Sequence, residues 1–398
     1  MTSRRLSHRL THRIRPLAAA VTAALAFTLI PAAHATDKLR IGLMLPYSGT
    51  FTELGKSITN GFKLAISEQG PLLAGREVEY LTVDDESDPA KATDNANKLV
   101  KRDKVDVMVG TVHSGVALAM AKVARDTKTL MIIPNAGADE LTDSLCSPNI
   151  FRTSFSNWQP GYATGRLMAE KHKTAVAISW KYAAGNESVA GFKEAFEKAG
   201  GKVLKELSLP FPNVEFQPLL TELAGIKPDA VYVFVAGAGQ VKFTKDYEAA
   251  GLKGKIALYG AFITEGTLAA QGTSAQGLQT VLHYADGINT PTNQRFIAAY
   301  KKAYNGATPD VFAVQGYDAA QLFIAGVKAA GGDVSGKRTE MLKAMSAAKL
   351  DSPRGPLSFN AAHNPIHNLY LREAKGTENV MQRVVVPALD QPAPNCKV

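Results

Sequence analysis

Short apolar runs alternate with longer amphipathic stretches along most of this chain, and the alternation comes in two blocks. Runs at 39–45, 78–83, 105–109 and 129–133 are separated by stretches such as the one carrying Ile58, Phe62, Ala65 and Ile66 at helical spacing. A second series has runs at 175–179, 203–207, 230–235 and 255–259. Apolar strands joined by helical crossovers suit parallel sheets covered on both faces. The pattern predicts an α/β chain of two doubly wound parallel-sheet lobes, with a ligand in the crevice at the carboxyl ends of the strands. Helices are expected again at 293–304, 313–330 and 339–347, followed by paired strands across 355–386 and a Pro-rich tail at 387–398.

The stretch 105–142, VDVMVGTVHSGVALAMAKVARDTKTLMIIPNAGADELT, is the most informative single unit. It reads as strand, tight turn, helix, strand and loop. Ser114 is the expected N-cap of the helix, and Gly115 allows close approach. A second loop, Asn135-Ala136-Gly137, follows the next strand. Two loops at strand ends, one of them opening a helix, form a receptor for an anion. No catalytic set accompanies them, so the expectation is binding without chemistry.

The first 35 residues are set aside as a secretory leader. They carry a basic head (Arg4, Arg5, Arg9, Arg13, Arg15), an apolar run from Leu17 to Ile30, and Ala33-His34-Ala35 as a small-x-small cleavage site after Ala35. Removing these five arginines lowers the formal charge from +9 to +4. No basic run with interleaved aromatics remains, which leaves nucleic-acid binding without support. No later stretch reads as a membrane span. The expected product is a soluble periplasmic monomer. Its two cysteines, Cys146 and Cys396, are expected to pair in an exported chain.

Other constellations have bland readings. Gly237-Ala238-Gly239 lacks the third glycine of a dinucleotide loop, because Lys242 stands there. His113 beside Ser114 lacks the GxSxG elbow of a hydrolase, although a two-lobed hydrolase using Ser114 is the enzyme alternative. His363 and His367 are separated by Pro365, which forbids a metal-binding helix between them. The acidic run Asp84, Asp85, Glu86 and Asp88 lacks the glycine and alternating spacing of a calcium loop and reads as helix N-terminal charge. No metal or cofactor is expected.

The ordered segments LRIGLMLPYSG, VGTVHSG, LMIIPNAGADELT, NIFRTSFSNWQPG, SVAGFKEAFEKAG, AVQGYDAAQLF and HNPIHNLYL resemble the periplasmic leucine/isoleucine/valine-binding proteins, receptors of branched-chain amino-acid type ABC importers. The resemblance runs from Lys38 to about Val386. It implies the type I periplasmic-binding fold, with three hinge crossings near Phe155, at 283–287 and at 359–363, and a ligand trapped by closure. It assigns 36–155 and 285–360 to the first lobe, and 156–284 and 361–386 to the second. Permease subunits of an ABC importer are the implied partners.

Carried over by that resemblance, the ligand carboxylate falls to His113, Ser114 and Gly115, and the next loop contact to Asn135, Ala136 and Gly137. The second lobe of the amino-acid receptors offers an acid to the ammonium group. Phe262 stands about there in this chain, unless a shifted alignment brings in Glu265. Ala238 occupies the family's tyrosine-bearing loop, and Tyr182 and Trp158 supply aromatic area nearby. Losing a charged hydrogen bond of ~1.5–3 kcal/mol disfavours an α-amino acid. The expected ligand is therefore a small carboxylate, with a hydrophobic or aromatic acid ahead of a branched-chain amino acid. A sensor or chemoreceptor partner, delivering ligand elsewhere than to a permease, is a further alternative.

Overall fold

A computed structural model describes residues 38–397 except 263 and 264. The expected leader and its cleavage after Ala35 lie outside the described residues, as does the side chain of Glu265. The first block folds as β1 (Leu39–Leu45), α1 (Thr52–Ser67), β2 (Val78–Asp84), α2 (Pro89–Asn97), β3 (Val107–Val109), α3 (Ser114–Thr127), β4 (Leu130–Ile133) and β5 (Ile150–Arg152). Its sheet is parallel throughout, in the order β2-β1-β3-β4-β5. β3 and β4 are buried at every residue, which is why they read as unbroken apolar runs.

The second block gives α4 (Trp158–Ala169), β6 (Thr174–Lys181), α5 (Ala183–Lys198), β7 (Lys202–Pro210), α6 (Gln217–Ile226), β8 (Ala230–Phe234), α7 (Gly237–Ala249), β9 (Ala257–Gly260), α8 (Glu265–Gln271) and β10 (Gln279–Leu282). Helices α9 (Pro291–Ala303), α10 (Val311–Ala329) and α11 (Arg338–Ser346) follow. Residues of α10 and α11, including Leu322, Phe323, Met341 and Met345, share a core with β1, β3 and β4 of the first sheet. The chain closes with β11 (Leu350–Ser352), β12 (Gly355–Phe359), β13 (Pro365–Lys375) and β14 (Glu378–Leu389). β13 pairs antiparallel with β10, so the second sheet runs β7-β6-β8-β9-β10-β13-β12-β11, with β14 beside β13.

α5 and α7 start at Ala183 and Gly237, each with a glycine in its first turn. The glycines there signal packing, not a turn. A Cβ on Gly185 would lie 1.9 Å from the Trp180 carbonyl oxygen, and one on Gly239 would lie 2.3 Å from the Trp180 ring.

Buried polar side chains hold the crossings between lobes. Arg354, in the β11–β12 turn, donates to the carbonyl oxygens of Thr153 and Ser154, the latter at 2.8 Å. Its Nε lies 3.0 Å from Asp318 Oδ2 on α10. Its Nη1 lies 3.2 Å from His367 Nδ1, and the His367 ring is stacked 5.2 Å from that of His283 at the β10 crossing. One guanidinium thus touches the first crossing directly and reaches the second through a ring stack. Cys146 and Cys396 are bonded across a sequence separation of 250, with a Cα–Cα distance of 5.6 Å. Among the described residues, no helix is long and apolar enough to cross a membrane, and no group of three His, Cys, Asp or Glu side chains is placed to hold a metal ion.

Candidate ligand cleft

In the first sheet, chain order reverses between β1 and β3; in the second, between β6 and β8. Loops leaving those strands at their carboxyl ends meet there, as ligand sites in doubly wound sheets do. Phe51 and Leu54 lie beyond β1, Val112 follows β3, and Asn135 and Gly137 follow β4. From the other side come Tyr182 after β6, Ala236 after β8 and Phe262 after β9. These residues, with Phe155, Asn157, Ala184, Phe234 and Phe312, enclose a cavity of about 20 Å³. That volume suits a single water molecule, so a larger ligand is admitted only by parting the lobes.

The wall is an aromatic belt. Phe262 lies 5.5 Å from Phe155 and 5.2 Å, edge-on, from Phe234. Tyr182 lies 4.8 Å from His113 in a stacked pair and 5.4 Å from Phe211, which itself lies 5.2 Å from Phe51. Among the described lining residues there is no carboxylate and no cation, and the polar side chains are Asn135, Asn157 and Tyr182. Asn135 Nδ2 donates to Gln315 Oε1 at 2.8 Å, which ties the cleft to the hinge, because Gln315 Nε2 lies 3.1 Å from His283 Nε2.

Several expected contacts are placed differently. His113, not Ser114, is the N-cap of α3; its Nδ1 accepts from the Gly115 amide at 3.1 Å. That amide is therefore already engaged. Burial holds the His113 imidazolium form down, with the pKa at about 4, so the ring is a neutral acceptor at pH 7. Ser114 is fully buried behind Asn157, whose Nδ2 lies 3.2 Å from the Ser114 hydroxyl. Ala136 points into the first-lobe core, and its amide donates to the Thr111 carbonyl at 2.9 Å. Ala238 is exposed, whereas Ala236, two residues earlier, lines the cavity.

Trp158 also lies outside the cavity. Its indole N–H donates to Glu194 at 2.8 Å and its ring stacks on Tyr162 at 4.3 Å, because it begins α4 on the face turned to α5. Asn135, Gly137, Tyr182 and Phe262 are the expected residues found on the wall. The missed ones divide by signal. Phe155 and Asn157 stand in the SFSNWQ segment quoted above, beside Trp158. Phe312 carries no such signal, because it opens a helix far along the chain that folds back to the first sheet.

Residues 38–379 match the family described as periplasmic binding protein. The chain belongs to that family. A Leu/Ile/Val-binding protein homolog 6 from Brucella melitensis is 30% identical over 363 residues, 89% of this chain and 92% of that one. An ABC-transporter solute-binding protein from R. palustris, solved in complex with benzoate, is 51% identical with a TM-score of 0.88, covering 91% of this chain and 100% of that one. Another, from Rhodopseudomonas palustris BisB5 in complex with 3,4-dihydroxy benzoic acid, is 33% identical with a TM-score of 0.83, covering 89% and 99%. These periplasmic binding proteins share with this chain the two-lobed α/β architecture built on parallel sheets.

Proposed function

We propose that this periplasmic binding protein is the exported receptor of an ABC importer for aromatic carboxylates of the benzoate class, and not an enzyme. The observation that carries the reading is the belt of Phe51, Phe155, Tyr182, Phe234, Phe262 and Phe312 around a cleft with no charged side chain among its described lining residues. An aromatic ring buried there gains ~25 cal/mol per Å² of apolar surface, with a further ~0.5–1.5 kcal/mol for each well-placed ring contact. An α-ammonium group would lie in the same wall without a carboxylate beside it, which is costly.

The carboxylate of such a ligand is best placed against the second lobe. α5 and α7 both open at the cleft with no side-chain cap, and Ala184 and Ala236 at their starts line it. Their first amides have no intrahelical acceptor and face an anion favourably. Similarity to the benzoate-bound protein supports the same ligand class. Titration calorimetry with benzoate, 4-hydroxybenzoate, 3,4-dihydroxybenzoate, leucine and isoleucine tests the reading. Saturable heat from at least one aromatic acid, with leucine and isoleucine weaker, supports it; leucine binding with silence from every aromatic acid overturns it.

A further inference from the structure

Behind the cleft wall, two carboxyl groups from opposite lobes share one set of partners. Asp139 follows β4 in the first lobe, and Glu187 sits on α5 in the second. Glu187 Oε2 accepts from the Asp139 amide at 3.2 Å and from Asn157 Nδ2 at 2.7 Å. Asp139 Oδ1 accepts from the Trp158 amide at 3.3 Å. The surrounding groups are Arg152 from β5, Gln391 from the C-terminal segment, Ser114 from α3 and the Tyr182 phenol. Among the described residues Arg152 is the cation acting on the pair, and its guanidinium is already bonded to the Ala138 carbonyl at 2.7 Å and to Asn364 Oδ1 at 2.8 Å.

We propose that Glu187 is the positioning residue for Asn157, and that it docks against Asp139 with one proton held between the two carboxyl groups, so that closure of the cleft on its ligand takes up a proton. The inference rests on the two-lobe receptor reading but not on the ligand's identity. With Nδ2 taken by Glu187 and Ser114, the Asn157 carbonyl Oδ1 is turned to Gly137 on the cleft wall, where a Cβ on that glycine would lie 2.4 Å from it. Parting the lobes removes Glu187 from the Asp139 amide and returns both carboxyls to water, where they ionise normally. In the closed form, burial pushes both pKa values up, the Asp139 charge raises that of Glu187 further, and Arg152 opposes both. The proton comes from solvent, and no covalent change is involved.

Binding of benzoate measured calorimetrically at pH 7 in phosphate and in Tris reads the proton directly, because the apparent enthalpy then differs by the uptake times the difference in buffer ionisation enthalpy. Benzoate stays ionised above pH 6, as carboxyls of ordinary pKa near 4 do. The wild type is expected to take up a sizeable fraction of one proton and to bind several-fold more tightly at pH 6 than at pH 8, with one proton limiting the change to about tenfold per pH unit. Glu187→Gln keeps an oxygen acceptor for Asn157, so it should bind benzoate with much smaller uptake and a flatter pH profile, Asp139 alone remaining; Glu187→Ala should also lose affinity at every pH. Benzoate binding without uptake, or unchanged uptake in Glu187→Gln, overturns the inference and leaves the aromatic-acid reading standing. Silence from benzoate with proton-linked leucine binding does the reverse, and silence from both ligands overturns both.

Discussion

The imidazole of His113 lies on the phenol ring of Tyr182, with centroids 4.8 Å and planes 22° apart, and the two rings come from opposite lobes. His113 is fixed in place as the cap of α3, so the stack orients Tyr182 from the far side of the cleft. Replacing Tyr182 with Ala removes a ring from the wall and the interlobe contact together. The expected loss is ~1.5–3 kcal/mol of binding free energy, roughly 10-fold to 150-fold in benzoate affinity. Tyr182→Phe keeps the ring and should stay within a few-fold of wild type; calorimetric titration of the three proteins checks this.

Trp158 provides the contrasting case. Its ring packs on Tyr162 and its N–H is held by Glu194, away from the cavity. Trp158→Phe is therefore expected to leave benzoate affinity within about twofold, under ~0.5 kcal/mol. A tenfold loss would return this residue to the ligand site.

Gly137 has no space for a side chain, because a Cβ there would lie 2.8 Å from the Asn157 amide nitrogen, which donates to the Gly137 carbonyl at 2.7 Å. Gly137→Ala must push the start of α4 away from the loop after β4. Overpacking of this kind costs ~1–3 kcal/mol in stability. Both a lower midpoint in urea and weaker binding are expected.

His283 and His367 are fully buried and kept neutral chiefly by burial, with the Arg354 charge adding to it. Above the ordinary histidine pKa neither folded nor unfolded chain binds a proton at these rings, so they contribute no pH dependence. Below it the unfolded chain protonates and the native one does not, and stability falls by up to ~1.4 kcal/mol per pH unit for each ring. His283→Gln should lose stability less steeply than wild type between pH 7 and pH 5. Urea unfolding at pH 7, 6 and 5 gives the difference.

The Cys146–Cys396 bond closes a loop of 250 residues and holds the segment that brings Gln391 to Arg152. Chain entropy assigns a loop of that length about 5 kcal/mol as an upper figure, reduced where the tail frays. Cys396→Ser should melt several degrees lower than wild type, and a reducing agent should lower the wild type to the same value while leaving the variant unchanged.

The sequence by itself determined the two alternating blocks, because a strand buried on both faces must be apolar at every position and a crossover helix must show one apolar face. The alternation also fixed where the loop Asn135-Ala136-Gly137 falls, and the family resemblance added Tyr182 and Phe262, so Asn135, Gly137, Tyr182 and Phe262 were legible as cleft candidates. Side-chain direction was not. Ala136 and Ala238 sit beside true wall residues but turn into the core and out to solvent. Trp158 was expected to supply aromatic area beside the ligand, but packing turns it toward Glu194 and leaves Asn157 on the wall. The Gly115 amide looked free for a ligand until the neighbouring imidazole was seen to cap it. Only the tertiary structure could bring Phe312, Gln315 and Arg354 to the cleft and its hinge, since nothing local marks a residue that is useful only after the chain has crossed between lobes and returned.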